Sequence, residues 1–227
     1  SMHTSKDQCT VWDKLNNYYE GRLENSLFQV MVRPQPKSIY LPKLNESTLR
    51  SRSFLFIALG LAAASVISDQ IPLIIPENGF ISLNAPMNLT RLGSCSTRTT
   101  HPYFLDGLSD LLKIIEVKNA ITNPFQFLTK GEVLQKCSNK KLLKEILPLT
   151  MSCSHPEAAR WDKLTYAHCG YCYPCIMRRT AIHYSGIKDS TKYNYDIADY
   201  DNVIEARKGS DLRALLRYIG VDYDDNY

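Results

Sequence analysis

No run of the chain is apolar for long enough to cross a bilayer. The longest, FLFIALGLAAASVI at residues 54–67, is short for a membrane span and suits a helix buried in a core. The opening SMHTSKDQCT is polar, so no secretory leader is expected there. Low-complexity segments and internal repeats are missing too. Charge of one sign is scarce: 27 Lys and Arg against 23 Asp and Glu leave a net +4. That is far below what a nucleic-acid-coating protein carries, yet it permits an anionic ligand. The seven cysteines are an odd number and four fall into metal spacing, which points to a reducing cytoplasm rather than a disulfide framework. With 227 residues, 44% hydrophobic and 22% charged, the chain is globular, not disordered. It is long enough for one sizeable domain with a small appended lobe.

Periodicity and punctuation place the elements. TVWDKLNNYYEGRLENSLF (10–28) reads as a helix, and FQVMV (28–32) as a strand that stops at RPQP. Ser47 or Thr48 caps a helix running to about Ser68, apolar on most faces and so expected to be sandwiched in a core. IPLIIP follows as a continuous apolar run, the pattern of a buried parallel strand. A polar, irregular stretch extends from Glu77 to His101. HPYFLDGLSDLLKIIEV is a helix with Pro102 in its first turn. ITNPF suits a strand end, and Thr129 caps a helix over LTKGEVLQKC. Two more helices lie at PCIMRRTAIHYSG, ending at Gly186, and SDLRALLRYIG, capped by Ser210 and ending at Gly220. Helices alternating with short apolar strands predict an α/β layer carrying a cysteine lobe and a helical tail.

Cys169, Cys172 and Cys175 in CGYCYPC are two residues apart, and Cys153 in MSCSHPE precedes them in a C-x15-C-x2-C-x2-C pattern. Such spacing turns neighbouring thiolates onto one ion, and the separate cysteine completes a tetrahedron; four soft ligands favour zinc. A closed four-thiolate site has no open position and is structural. His155 and His168 are rival ligands. Cys9, Cys95 and Cys137 lie outside this spacing; Cys137 ends an apolar helix face, and Cys95 sits in a polar loop where a nucleophilic role is the alternative to none.

The polar middle is the segment most like an active site. Ligands of open α/β sheets bind beyond the carboxyl ends of the strands, and Glu77, Asn78 and Gly79 follow the 71–75 run at that end. Arg91, Ser96, Thr97, Arg98, Thr99 and His101 crowd donors into eleven positions, a density that suits a carboxylate or phosphate ligand. RSRS at 50–53 sets Arg50 and Arg52 at a helix start, a place that favours anions. Lys130 begins another helix and can reach a phosphate.

RSRSFLF, PENGFISLN, STRTTHP, NPF…TKGE, MSCS and CGYCYPCIMRR occur in an order that resembles QueC-like proteins. These are ATP-dependent 7-cyano-7-deazaguanine synthases of the PP-loop ATP pyrophosphatase superfamily. The likeness covers roughly residues 47–190. It implies a Rossmann-like, adenine nucleotide alpha hydrolase-like three-layer α/β domain over residues 1–150. A four-cysteine zinc lobe and a helical C-terminal tail would occupy 151–227. It implies ATP with Mg2+ as cosubstrate, structural Zn2+, and activation of the carboxylate of 7-carboxy-7-deazaguanine for attack by ammonia or a protein amine. By the resemblance Arg52 and Ser53 match an Arg-Asn pair near the nucleotide, Lys130 matches the lysine of a Thr-Lys-Ala-Glu element, and Cys153, Cys169, Cys172 and Cys175 match the zinc ligands. Arg98 and Lys130 are the expected catalytic residues; Arg52, Ser53, Glu77, Asn78, Arg91, Ser96, Thr97 and His101 are expected to bind substrate or nucleotide.

STRTTHP stands where queuosine-pathway enzymes carry Tyr-Pro-Asp-Cys-Arg. Together with PENG it is closer to the subgroup of antiphage operons, the Qat system and certain CBASS systems, which implies a protein partner from the same operon. The family's Ser-Gly-Gly-x-Asp-Ser pyrophosphate loop is absent from this sequence. The chain is therefore expected to be an enzyme, the C-terminal portion of one, or a deazaguanine-binding scaffold subunit without catalysis.

Overall fold

The computed structural model describes residues 2–24, 52–83, 100–155, 165–197 and 209–220. The strand expected at 28–32, the caps Ser47 and Thr48, and the donors Arg91, Ser96, Thr97, Arg98 and Thr99 lie outside the described residues, as do Cys95 and the side chain of Arg52.

The described residues are mainly helical, with one two-stranded parallel sheet. The sheet pairs β1 (Leu73–Ile74) with β2 (Ile121–Thr122), in the register Leu73 to Ile121 and Ile74 to Thr122. A larger Rossmann-like sheet is not among the described residues. Helix α1 spans Met2–Tyr18, not 10–28. It ends because Glu20 and Gly21 take φ of 55° and 75°, outside the right-handed helical region, while Gly21 N–H reaches back to Asn16 O at 2.9 Å. Helix α2 (Arg52–Ile67) packs Ile57 and Leu61 against Leu108 and Leu112. It is not sandwiched as expected: Phe56, Val66 and Ile67 are exposed. Its Gly60 lies so close to Leu73 that a Cβ would meet Leu73 Cδ1 at 2.8 Å.

Residues 68–72 turn the chain from α2 into β1. Asn119 holds that turn, its Nδ2 donating to Ser68 O and Ile71 O at 2.8 Å each. Beyond β1 the short α3 (Gly79–Leu83) interrupts the stretch expected to be irregular. Helix α4 (Pro102–Ile114) then carries Leu108 and Leu112 onto α2 and leads to β2, so α2, α4 and the sheet share one apolar core with Leu73, Ile75 and Ile121. Ile74 is 57% exposed, so β1 buries one face only, unlike the fully buried strand its run of apolar residues suggested.

Helix α5 (Lys130–Lys136) starts at a complete capping box. Thr129 Oγ1 accepts from Glu132 N–H at 3.3 Å and the Glu132 carboxylate accepts from Thr129 N–H at 2.6 Å, which satisfies two donors otherwise left over at a helix start. Helix α6 (Lys140–Ile146), capped by Asn139, and a single 3-10 turn (Leu147–Leu149) follow. Helix α7 (Tyr173–Tyr184) packs on α5, and with Leu147 and Ile187 its Ile182 forms a second core. Helix α8 (Ser210–Gly220) begins at Ser210, which lies inside the helix rather than capping it. Its Asp211 carboxylate accepts from Tyr173 N–H at 2.8 Å, placing negative charge at the electropositive start of α7. Among the described residues no helix is long and apolar enough to cross a membrane.

Candidate functional site: a cysteine lobe beside the strand ends

Cys153, Cys169, Cys172 and Cys175 are all buried and free. Their sulfurs converge: Cys153 Sγ lies 3.8 Å from Cys172 Sγ, and Cys169 Sγ lies 4.0 Å from Cys175 Sγ. Zinc–sulfur bonds of about 2.3 Å in a tetrahedron set the sulfurs about 3.8 Å apart, so these two pairs stand at the spacing of two of its edges. His155 joins them. One ring nitrogen of this exposed side chain and the sulfurs of Cys153, Cys169 and Cys172 all lie within 4.8 Å of one another. The donor set able to hold a metal is thus three cysteines and one histidine, with Cys175 outside that group and adjoining it through Cys169 Sγ. His168 is buried but outside that group.

The local chain path explains the convergence. Gly170 takes φ of 90°, and a Cβ there would stand 2.2 Å from Tyr195 O; only glycine fits this tight turn between the first two cysteines. Backbone N–H groups turn inward onto sulfur, from His155 and Cys169 to Cys153 and from Cys172 to Cys169, at 3.4–3.5 Å. Cys172 is the N-cap of α7 and Cys175 lies in its first turn, so the helix dipole also favours thiolate. Hydrogen bonding within the cluster splits the thiols. Cys153 is pulled down to about 6, chiefly through Cys169, and Cys172 is pulled well below the usual thiol range, chiefly by Cys153. Cys169 and Cys175 are pushed up, each chiefly through Cys153. Four sulfurs packed this closely cannot all carry negative charge without a cation among them.

Arg178, on α7, ties this lobe to the rest. Its side chain is 4% exposed. Nη1 donates to Thr150 O, Thr150 Oγ1 and Ser152 Oγ at 3.2, 2.7 and 3.1 Å, and Nη2 donates to Leu147 O and to Thr191 Oγ1, the latter at 3.0 Å. Residues 147–152 lead directly into Cys153, so this guanidinium fixes the strand of chain that delivers the separate ligand. Arg178 is thereby committed to the protein's own backbone. Arg179 instead pairs with Asp196 at 2.6 Å and lies over the Tyr193 ring, 4.9 Å from its centroid.

The second feature lies at the carboxyl ends of β1 and β2. Ile75 N–H donates to Thr122 O at 2.9 Å, and Gly79 N–H to Leu128 O at 2.9 Å, so the loops that leave the two strands run side by side. The crossing is close: a Cβ on Gly79 would sit 2.3 Å from Gln126 O. Asn78 is buried, and its Oδ1 accepts from Ile81 N–H at 3.2 Å, fastening α3. Ser82 Oγ and Thr100 Oγ1, both buried, share a 2.9 Å hydrogen bond.

Lys130 opens α5 at this place. Burial pushes its ammonium below the ordinary lysine value; the positive charge of Arg178 adds to the effect and Glu77 opposes it. Of the expected site residues, Glu77 and Lys130 thus stand on neighbouring segments joined by the Gly79–Leu128 bond, without an ion pair between them, and Asn78 lies between β1 and α3. His101 is otherwise employed, since its Nδ1 accepts from Tyr103 N–H at 3.3 Å as the cap of α4. Ser53 sits in the first turn of α2.

Sequence reasoning missed Asn123, directly after β2. It is buried, its Oδ1 accepts from Phe125 N–H at 3.0 Å, and its Nδ2 has no acceptor. The Asn-Pro pair at a strand end was the available signal. No family model, curated protein or solved structure matches this chain.

Proposed function

We propose that the chain is a QueC-like, ATP-dependent ligase, or the C-terminal portion of one. In this reading it activates the carboxylate of 7-carboxy-7-deazaguanine for attack by ammonia or a protein amine, in antiphage defence. The observation that carries this reading is the adjacency of the segments bearing Glu77 and Lys130, joined by the Gly79 N–H to Leu128 O bond, at the carboxyl ends of two parallel strands, where open α/β folds bind nucleotides. A desolvated ammonium at a helix start is suited to anionic oxygens of a nucleotide or an activated carboxylate. Arg98, Arg91, Ser96, Thr97, Arg52 and Ser53 complete the site in this reading, on a Rossmann-like α/β domain. Zn2+ held by Cys153, Cys169, Cys172 and Cys175 is structural: four thiolates leave it no open position. Its part is to hold α7, and through Arg178 the 147–152 segment, beside α5 and Lys130.

The experiment is mass spectrometry of the purified chain and its operon partners after incubation with ATP, Mg2+, ammonia and 7-carboxy-7-deazaguanine. An amide or nitrile product, or a mass shift on a partner, is expected with the wild type. Lys130→Met should cut the rate at least a hundredfold while zinc content stays at the wild-type level. Product formation undiminished in that variant would remove Lys130 from the site. Tight binding of the deazaguanine with no ATP-dependent product under any partner combination would replace the ligase with a non-catalytic deazaguanine-binding subunit.

A further inference from the structure

The four thiols pose a problem of access. Cys153, Cys169, Cys172 and Cys175 are 7, 1, 0 and 0% exposed, so an ion held among them is shielded from water. A metal site needs an entry path, and a tetrahedron of four thiolates has no open position through which an incoming donor can work. His155 stands apart from the thiols in one respect: it is exposed. It follows Cys153 by two residues, and one of its ring nitrogens lies within 4.8 Å of the sulfurs of Cys153, Cys169 and Cys172. Cys175 is outside that group and adjoins it at 4.0 Å from Cys169 Sγ. The imidazole is also held in place. Its backbone N–H donates to Cys153 Sγ at 3.4 Å, and its ring lies 5.9 Å from that of buried Tyr171 at an interplanar angle of 31°. A fifth donor, open to water and fixed beside three buried ligands, has no part in a closed four-thiolate tetrahedron.

We infer that His155 is the exchange ligand of the metal centre, taking the ion from water, handing it to the thiols and taking it back on release. On loading, His155 offers its neutral ring nitrogen in exchange for a water of the hydrated zinc ion. Cys153, Cys169 and Cys172 bind as thiolates, each losing its proton to solvent. Cys175 then displaces the imidazole, also giving its proton to water, and closes the tetrahedron; release runs the same steps backward. The inference rests on the four-thiolate zinc reading above and is independent of the ligase chemistry. A donor held beside the ion replaces a bimolecular attack by an intramolecular one. Because His155 is bound in neither the empty nor the closed state, its loss changes the rate of exchange and leaves the equilibrium affinity alone.

The test follows transfer of zinc from the loaded full chain to a chromophoric chelator. It compares the wild type with His155→Ala and with His155→Phe, which keeps a ring against Tyr171 and removes the donor. Transfer should slow by at least about tenfold in both variants, the cost of losing a donor held in position. Zinc affinity, read by equilibrium competition with the same chelator, should stay at the wild-type value. X-ray absorption of the loaded wild type should show sulfur ligands alone. Wild-type transfer rates in both variants would overturn the inference and leave the four-thiolate site standing. A nitrogen ligand in the loaded wild type, with affinity lowered in both variants, would overturn it as well, because His155 would then be a resident ligand. A wild-type chain that holds no zinc would overturn both the inference and the reading it rests on.

Discussion

Arg178 is a cation placed where water cannot reach it, and no carboxylate touches it among the described residues. Five hydrogen bonds from Nη1 and Nη2 to backbone and hydroxyl oxygens replace the hydration of those two atoms while Nε has no partner, and Asp189 contributes at longer range. Removing the guanidinium strands several buried carbonyl and hydroxyl oxygens at once, each costing about 1–3 kcal/mol when left unpaired. Arg178→Ala is therefore expected to lose at least about 3 kcal/mol of stability and part of its bound metal, because 147–152 delivers Cys153. Arg178→Lys should recover little, since a point charge cannot reproduce the two-pronged donor pattern. Denaturation midpoints and zinc content check this; a melting temperature within a degree of wild type in Arg178→Ala would refute it. CIMRR marks both arginines in the sequence but cannot say which one turns inward. The packing of α7 on α5 decides that.

Elements with their own punctuation are legible. Thr129 and Glu132 three residues apart announce α5, and Pro102 with the apolar repeat announces α4; both form where expected. Thr129→Ala should cost about 1 kcal/mol, lowering the melting temperature by about 2–4 °C with ligand affinity little changed; a stable Thr129→Ala chain would show that packing against α7, not the cap, holds α5. Other elements were misread. Helix α1 was shifted because helical apolar spacing from Val11 and Leu15 continues past Tyr18 to Leu23, while positive φ at Glu20 and Gly21 stops the helix. Helix α6 was not anticipated, although Asn139 caps it by accepting from Leu142 N–H at 3.0 Å. The strand at 71–75 was found at its core, Leu73–Ile74, with its parallel partner. Its burial was overestimated because apolar character reports what a residue tolerates, not what covers it.

At the scale of the molecule, three apolar clusters among the described residues lie at the sheet, the α5–α7 pair and the cysteine lobe. The last packs four thiols with Tyr171, Ile176 and Leu212, and a metal ion held there would add to its stability. One zinc per chain is expected, and a chelator should unfold residues 165–197 ahead of the α2–α4 core, as read by hydrogen exchange. Metal retention in Cys175→Ser together with loss in His155→Ala would exchange the fourth thiolate for the histidine. Acid should act in the same direction. The Cys153 thiol is held at about 6, against 9.0 for a free thiol. Its ionised form therefore contributes fully above pH 9.0 and is lost as pH falls through about 6. Bound zinc competes with protons, so metal release is expected below pH 6; release already at pH 8 would contradict a closed thiolate site.

Cysteine spacing by itself determined that these thiols converge into a cluster able to hold a metal, because a two-residue spacing constrains thiolates locally whatever surrounds them. It also named Lys130 and Glu77 as chemistry-bearing positions. Only the tertiary structure decided that the segments carrying these two run side by side, that His101 is a helix cap, that His155 reaches the thiol cluster and that the Asn123 amide lacks an acceptor. Those are relations between segments far apart in the chain, set by the pairing of β1 with β2 and by the docking of α7, and no local pattern encodes them.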